Sequence, residues 1–291
     1  MKRRDFIKGS LLGALLPASL AKAAASTARE ADPVRRLAAL EQRHGGRLGV
    51  AILDTGDGGR VAHRGSERFL MCSTFKVLAV AAVLARVDRG DESLERRVVF
   101  GRDVLLSYAP VTRLRTGAPG MRLEELCAAA ITVSDNTAAN LLLAALGGPT
   151  AVTGFVRGLG DQVTRLDRIE PDLNVTHPGD LRDTTSPDAA LDTLHRLLLG
   201  NALSPASRAR LLDWMRGCLT GTDKLRAGLP PLWSAGDKTG SGAQGESNDV
   251  AIVFPPDRAP LLVTAYYAAP DVDARVRSEV LAAVGRIAAA S

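Results

Sequence analysis

Apolar residues follow two rhythms along this chain. Through the middle, from Arg122 to Arg216, they recur at the three-to-four-residue spacing of a helix face in "LEELCAAAI", "NTAANLLLAAL", "PTAVTGFVRGL", "PDAALDTLHRLLL" and "PASRARLLDWM". Toward both ends they form short β-prone runs. "RLGVAILDTGDGGRVAHRG" predicts two strands about a Gly/Asp turn, and "LWSAGDKTGSG", "NDVAIVFPP" and "PLLVTAYYA" predict three more. The helix "PVRRLAALEQRHGG" precedes the first pair, and "RVRSEVLAAVGRIAA" follows the last strand. Residues 73 to 88, rich in Ala, Val and Leu, predict a buried helix, whereas residues 161 to 187 lack periodicity and are rich in Asp, Pro and Thr.

Five strands drawn from both ends predict one antiparallel sheet flanked by helices, an α/β unit into which an all-α lobe is inserted. The expected sheet domain spans 24–66 and 217–291, and the expected helical domain spans 67–216. Pockets favour such junctions.

Composition narrows the class. The 291 residues are 46% hydrophobic and 24% charged, ordinary for a soluble globular enzyme. Residues 1–23, "MKRRDFIKGSLLGALLPASLAKA", combine a basic start, an apolar run and small residues at Ala21 and Ala23, the pattern of an export signal. Arg3 and Arg4 before Phe6, Ile7 and Lys8 resemble the twin-arginine kind. The expectation is a periplasmic protein cleaved near Ala23. No later stretch is long and apolar enough to span a bilayer, so no stable membrane insertion of the mature protein is expected. The same segment holds Lys2, Arg3, Arg4, Lys8 and Lys22 against Asp5, and without it the formal +5 falls to about +1. With no basic run and few aromatics, nucleic acid is excluded as a partner.

Of the three cysteines, Cys72, Cys127 and Cys218, an odd count leaves at least one unpaired within the chain, and each has the ordinary reading of a small buried hydrophobe. The four histidines show no metal-ligand spacing, which argues against a zinc hydrolase.

Chemistry is first suggested by "MCSTFKVLAV", with Ser73 at the mouth of an apolar helix and Lys76 three positions on. A capping box would carry Glu or Gln there, and the helix dipole disfavours a cation in the first turn, so stability does not explain the lysine. At i and i+3 the two side chains share a face, within reach of each other. A nucleophilic serine needs a proton acceptor, and lysine serves when burial lowers its pKa. Alone, S-x-x-K is a common chance pattern. "TVSDNTAAN" sets Ser134, Asp135 and Asn136 before a helix, which alone reads as a cap cluster. "AGDKTGSG" puts Lys238 and Thr239 in a strand with Gly240, where a ligand can approach the backbone and an exposed edge can pair with an amide.

Taken in order, S-T-F-K, S-D-N and K-T-G form the motif set of class A β-lactamases and penicillin-binding proteins. The chain resembles a class A serine β-lactamase across essentially its whole mature length, with "RLDRIEPDLN" and "RDTTSP" where that family carries its Ω loop, here 165–183. The resemblance implies the β-lactamase/transpeptidase-like fold, small-molecule β-lactam substrates, a monomer, and no metal or organic cofactor. It implies Ser73 as nucleophile, Ser134 as proton relay to the lactam nitrogen, and Lys238 tuning that hydroxyl. Either Lys76 or Glu170 takes the serine proton. Glu170 and Asn174 look like the pair that holds the hydrolytic water. Asn136 would bind the substrate amide, Thr239 and Ser241 its carboxylate, and Tyr108 the cleft mouth, while the N–H groups of Ser73 and Ser241, next to Gly240, would form the oxyanion hole. Arg168 and Asp183 resemble the ion pair that closes the loop.

Departures accompany the likeness. Many relatives carry an arginine on the strand after K-T-G, where this chain has Ser247 and Asn248; Arg277 or Lys224 are the candidate substitutes. The position that would partner Cys127 in the family disulfide is Val80, and Gly242 stands where the partner of Cys72 would be, so three free thiols are expected. The alternative functions are a penicillin-binding DD-peptidase, which acylates its serine but lacks a residue to activate water, and a silent binding protein of the same fold.

Overall fold

The computed structural model describes residues 32–291. The export segment read at residues 1–23 lies outside them. Helix α1 (Pro33–His44) leads into the hairpin of β1 (Arg47–Asp54) and β2 (Arg60–His63). Strand β3 (Phe69–Leu70) and a 3₁₀ turn (Cys72–Thr74) precede α2 (Phe75–Asp88). Short strands β4 (Arg97–Val98) and β5 (Met121–Arg122) pair with each other ahead of α3 (Leu123–Thr132), α4 (Asn136–Leu146) and α5 (Pro149–Gly158). Beyond the aperiodic stretch, β6 (Thr184–Thr185) pairs with β3, and α6 (Pro187–Leu198) and α7 (Pro205–Arg216) follow. The chain closes with β7 (Ser234–Ser241), β8 (Glu246–Phe254), β9 (Leu261–Ala268) and α8 (Ala274–Ala289).

The five long strands form one antiparallel sheet in the order β2-β1-β9-β8-β7, the architecture expected from the sequence. Alternation along β9 sets its two faces. Leu261, Val263, Ala265 and Tyr267 join one apolar cluster with residues of α1 and α8, while Leu262 and Tyr266 join the other, with α2 through α7. Both faces are therefore covered, which explains why β9 reads as a nearly continuous apolar run.

Helix α2 runs through the larger cluster with every residue from Phe75 to Ala85 buried, as its all-round apolar surface demands. It starts at Phe75, two residues later than the sequence pattern suggests. Cys72 takes a left-handed φ of 45°, a conformation no helix continues, and so Ser73 sits in the 3₁₀ turn instead of the helix proper. Proline at the start of α5, α6 and α7 suits a position whose N–H has no helical partner.

Candidate active site

One cleft of about 360 Å³ gathers residues that lie far apart in the chain. The 3₁₀ turn brings Ser73, the start of α4 brings Ser134 and Asn136, edge strand β7 brings Thr239 and Ser241, and loops supply Tyr108 and Asn174. Tyr108 stands half exposed at the rim. Lys76, Glu170 and Lys238 lie buried behind this surface.

The buried groups are joined by short contacts. Ser73 Oγ donates to Glu170 Oε1 at 3.3 Å, and the same oxygen lies 3.2 Å from Lys76 Nζ. Lys76 donates to the Ser134 carbonyl (2.8 Å), Ser134 Oγ (3.2 Å) and Asn136 Oδ1 (2.6 Å). Lys238 Nζ reaches Ser134 Oγ from the other side at 3.0 Å. Asn174 Nδ2 donates to Glu170 Oε2 at 2.5 Å, and Asn174 Oδ1 is buried with no partner among the described residues. The hydroxyl of Ser134 is thus bracketed by two amines, and that of Ser73 faces a carboxylate. The sequence suggested an amine within reach of Ser73. In the fold Lys76 spends its hydrogen bonds on Ser134 and Asn136, and its third neighbour is the Glu170 carboxylate, because α4 packs its N-terminus against the first turn of α2.

Burial, above all other influences, pulls the Lys76 amine down from its ordinary value to about 8, against the opposing pull of the Glu170 carboxylate. Burial lowers Lys238 as well, with Cys218, Asp237 and Asp249 opposing. Two desolvated amines in one site are the condition under which lysine can be neutral near physiological pH.

Each element is held by contacts that pattern alone does not reveal. Asp135 caps α4 by accepting from Ala138 N at 2.9 Å, and its other oxygen accepts from Val111 N and Thr112 N, so the middle residue of S-D-N ties the Tyr108 loop to the helix. Asn140 exchanges two hydrogen bonds with the backbone of Glu170, both 2.9 Å. The sequence reading missed Asn140. Its signal was an amide four residues after Asn136 on an otherwise apolar helix. Arg168 Nε donates to Asp183 Oδ2 at 2.5 Å, while Asp183 Oδ1 accepts from Asp167 N and Arg168 N.

Strand β7 lies hard against the serine turn. A Cβ on Gly240 would sit 2.7 Å from the Met71 carbonyl oxygen and 3.2 Å from Ser73 N, so only glycine permits this approach. Asn248 on β8 donates to the Leu70 and Met71 carbonyls and so fixes the turn. Left-handed φ at Cys72, Ser134 and Asp183, each costing about 1–2 kcal/mol, concentrates backbone strain around the cleft.

Of the two candidate substitutes for the missing arginine, Lys224 lines the cleft, largely buried, with its Nζ donating to the Ser247 and Ser278 hydroxyls. Arg277 lies in the adjoining groove, where its guanidinium is engaged by the Ala269 and Val272 carbonyls. Thr220 and Asp223 also line the cleft and were not singled out by the sequence. The three cysteines are free and buried.

Sheet and helices together have the architecture of class A β-lactamase structures. The chain belongs to the β-lactamase enzyme family, whose model matches residues 32–291. It is 45% identical over 287 residues to β-lactamase OXY-2 from Klebsiella oxytoca, an alignment that covers 99% of this chain and 98% of that protein. It is 48% identical over 256 residues to β-lactamase CTX-M-8 from Citrobacter amalonaticus, covering 88% of each. An ancestral class A β-lactamase superposes with a TM-score of 0.86 at 58% identity, over 88% of this chain and 98% of that one.

Proposed function

We propose that this protein hydrolyses β-lactam antibiotics in two acyl-transfer stages, with Ser73 as nucleophile and Glu170 directing water. The observation that carries the reading is the hydrogen bond from Ser73 Oγ to the buried Glu170 carboxylate, whose other oxygen is held by Asn174. Ser73 gives its proton to Glu170 as its oxygen bonds to the lactam carbonyl carbon. The developing oxyanion is received by the N–H groups of Ser73 and Ser241, where one donor is worth roughly 3 kcal/mol. The C–N bond then breaks, and Ser134 passes a proton to the nitrogen; Lys76 reprotonates Ser134 and takes up the proton held by Glu170, which returns that carboxylate to its ionised form for the second stage. Water activated by Glu170 adds to the acyl ester and releases Ser73 with its proton restored. Asn136 binds the substrate's side-chain amide, Thr239 and Ser241 its carboxylate, and Tyr108 packs at the mouth. The decisive assay is steady-state hydrolysis of a penicillin, a cephalosporin and a carbapenem by the purified protein. Absence of turnover with all three overturns the proposal, and a penicilloyl adduct that persists on the unaltered protein points instead to a DD-peptidase.

Lys224 is the cation of this reading that meets the substrate carboxylate. Replacing it with Ala is expected to raise KM for a penicillin about tenfold or more, as the loss of one charge-assisted hydrogen bond does, with kcat little changed. An unchanged KM assigns the role elsewhere.

Lys76 supplies a second proton acceptor once its amine is neutral. In a Glu170→Gln variant only that amine remains, so single-turnover acylation is expected to rise with pH to a plateau. The midpoint should fall at or below about 8, because removing the carboxylate removes a charge that favours the ammonium form. A rate independent of pH across this range excludes Lys76 as a base.

Residues 1–23 are read as an export signal of the twin-arginine kind on their sequence pattern, which makes the working compartment the periplasm.

A further inference from the structure

Two aspartates beneath the cleft take no part in this mechanism. Asp237 on β7 and Asp249 on β8 are both fully buried, and the register that pairs Thr239 with Asp249 and Asp237 with Ala251 sets them diagonally across the two strands. Their carboxyls are in hydrogen-bond contact with each other. One oxygen of each, Asp237 Oδ2 and Asp249 Oδ1, is buried with no hydrogen-bond donor among the described residues. Two ionised carboxylates cannot face each other in a dry interior, whereas a pair with one proton makes a strong hydrogen bond and satisfies both.

The outer oxygens of the pair reach the chain segment that forms one wall of the cleft. Asp237 Oδ1 accepts from Arg226 Nε, and Asp249 Oδ2 accepts from Leu225 N at 3.1 Å. A Cβ at Gly221 would lie 1.8 Å from Asp237 Oδ2, so the wall's backbone rests directly on that carboxyl. Thr220, which exchanges a 2.5 Å hydrogen bond with Thr239, and Lys224 face the cleft from the same segment.

We propose that Asp237 and Asp249 share one proton and, as a hydrogen-bonded pair, act as positioning residues that hold the 220–226 wall, and with it Thr220 and Lys224, against the substrate cleft. The charged and titratable groups facing the pair are Arg226 and Lys224 from the wall, Lys238 from β7 and the Cys218 thiol. A singly protonated pair carries one negative charge, which Arg226 balances through its ion pair with Asp237. Burial holds both carboxyls above the usual range, Asp249 furthest, with Asp237 adding to its rise. The folded protein therefore keeps a proton that the unfolded chain has released, and the stability contributed by the pair falls as pH rises through the folded value. The wall loosens on the alkaline side.

Asn at position 249 tests this idea, because its amide can donate to Asp237 while its oxygen still accepts from Leu225 N, which mimics the protonated pair at every pH. Asp249→Leu removes both bonds. KM for a penicillin is expected to rise roughly tenfold in Asp249→Leu, the factor that one lost hydrogen-bonded contact carries, with kcat affected less. Asp249→Asn should keep the neutral-pH KM and lose the alkaline rise of the parent protein. Hydrogen exchange of residues 218–226 should quicken in Asp249→Leu, and in the parent as pH increases after correction for intrinsic exchange, but not in Asp249→Asn. The exchange measurement needs no turnover, so it tests the clamp even if the substrate-wall reading on which the KM arm rests should fail. Equal exchange in the parent and Asp249→Leu, or an Asp249→Asn variant that behaves like Asp249→Leu, overturns the proposal. Where Asp249→Leu does not fold, the comparison of Asp249→Asn with the parent across pH decides alone, and identical pH profiles of KM and exchange refute it.

Discussion

With Glu170 replaced by Gln, a penicillin is expected to remain covalently attached to Ser73, visible as a persistent mass increment, while steady-state turnover falls roughly a thousandfold, within the range for loss of a general base. The substitution keeps the shape of a fully buried side chain, and its carbonyl oxygen can still accept from Asn174, which donates at 2.5 Å to Glu170 now. What disappears is the ability to take a proton from water. Acylation survives in part because Lys76 loses its carboxylate neighbour at 3.2 Å, and a buried amine without a counter-charge gives up its proton more readily. The first stage thus has a second acceptor and the second stage has none. Unchanged turnover would remove Glu170 from the mechanism.

Asp183→Ala is expected to lower the melting temperature by roughly 10 °C, from about 3–5 kcal/mol lost when a buried ion pair is broken from one side. Asp183 is fully buried, and one carboxylate serves Arg168 Nε together with two backbone N–H groups. Its carbonyl also accepts from Met71 N at 2.9 Å, which links the loop to the turn that presents Ser73. Alanine leaves Arg168 without its counter-charge, two donors without an acceptor, and a β-carbon in a left-handed conformation. Hydrolysis should fall with stability because Glu170 rides on the same loop, and acyl-enzyme should accumulate during turnover. Asp183→Asn should suffer less, since Asn tolerates the backbone and keeps an acceptor. Thermal melting beside single-turnover kinetics checks both, and a variant that melts and turns over like the parent would show that the loop is closed by other contacts.

The sheet and the long helices were legible because each has an apolar face whose period matches its geometry, and proline or glycine marks many of the boundaries. Ser73, Lys76, Ser134 and Lys238 were legible only as a set of motifs, since every member has an ordinary structural reading alone. Contacts between distant segments left no periodic trace. Asn140 looked like one polar residue in a helix, Asp237 like the residue before a motif, and Asp249 like one of the polar residues that open strand β8. The late start of α2 was equally hidden, because the left-handed Cys72 is held there by strand β7 and by Asn248, both far downstream in the chain.

Cys72, Cys127 and Cys218 lie separately in the interior, and no sulfur–sulfur bond joins any part of the fold. The packing of this enzyme is therefore indifferent to redox potential. It needs neither a thiol oxidant nor a disulfide isomerase, and a reducing, glutathione-rich solution has no covalent link in it to break.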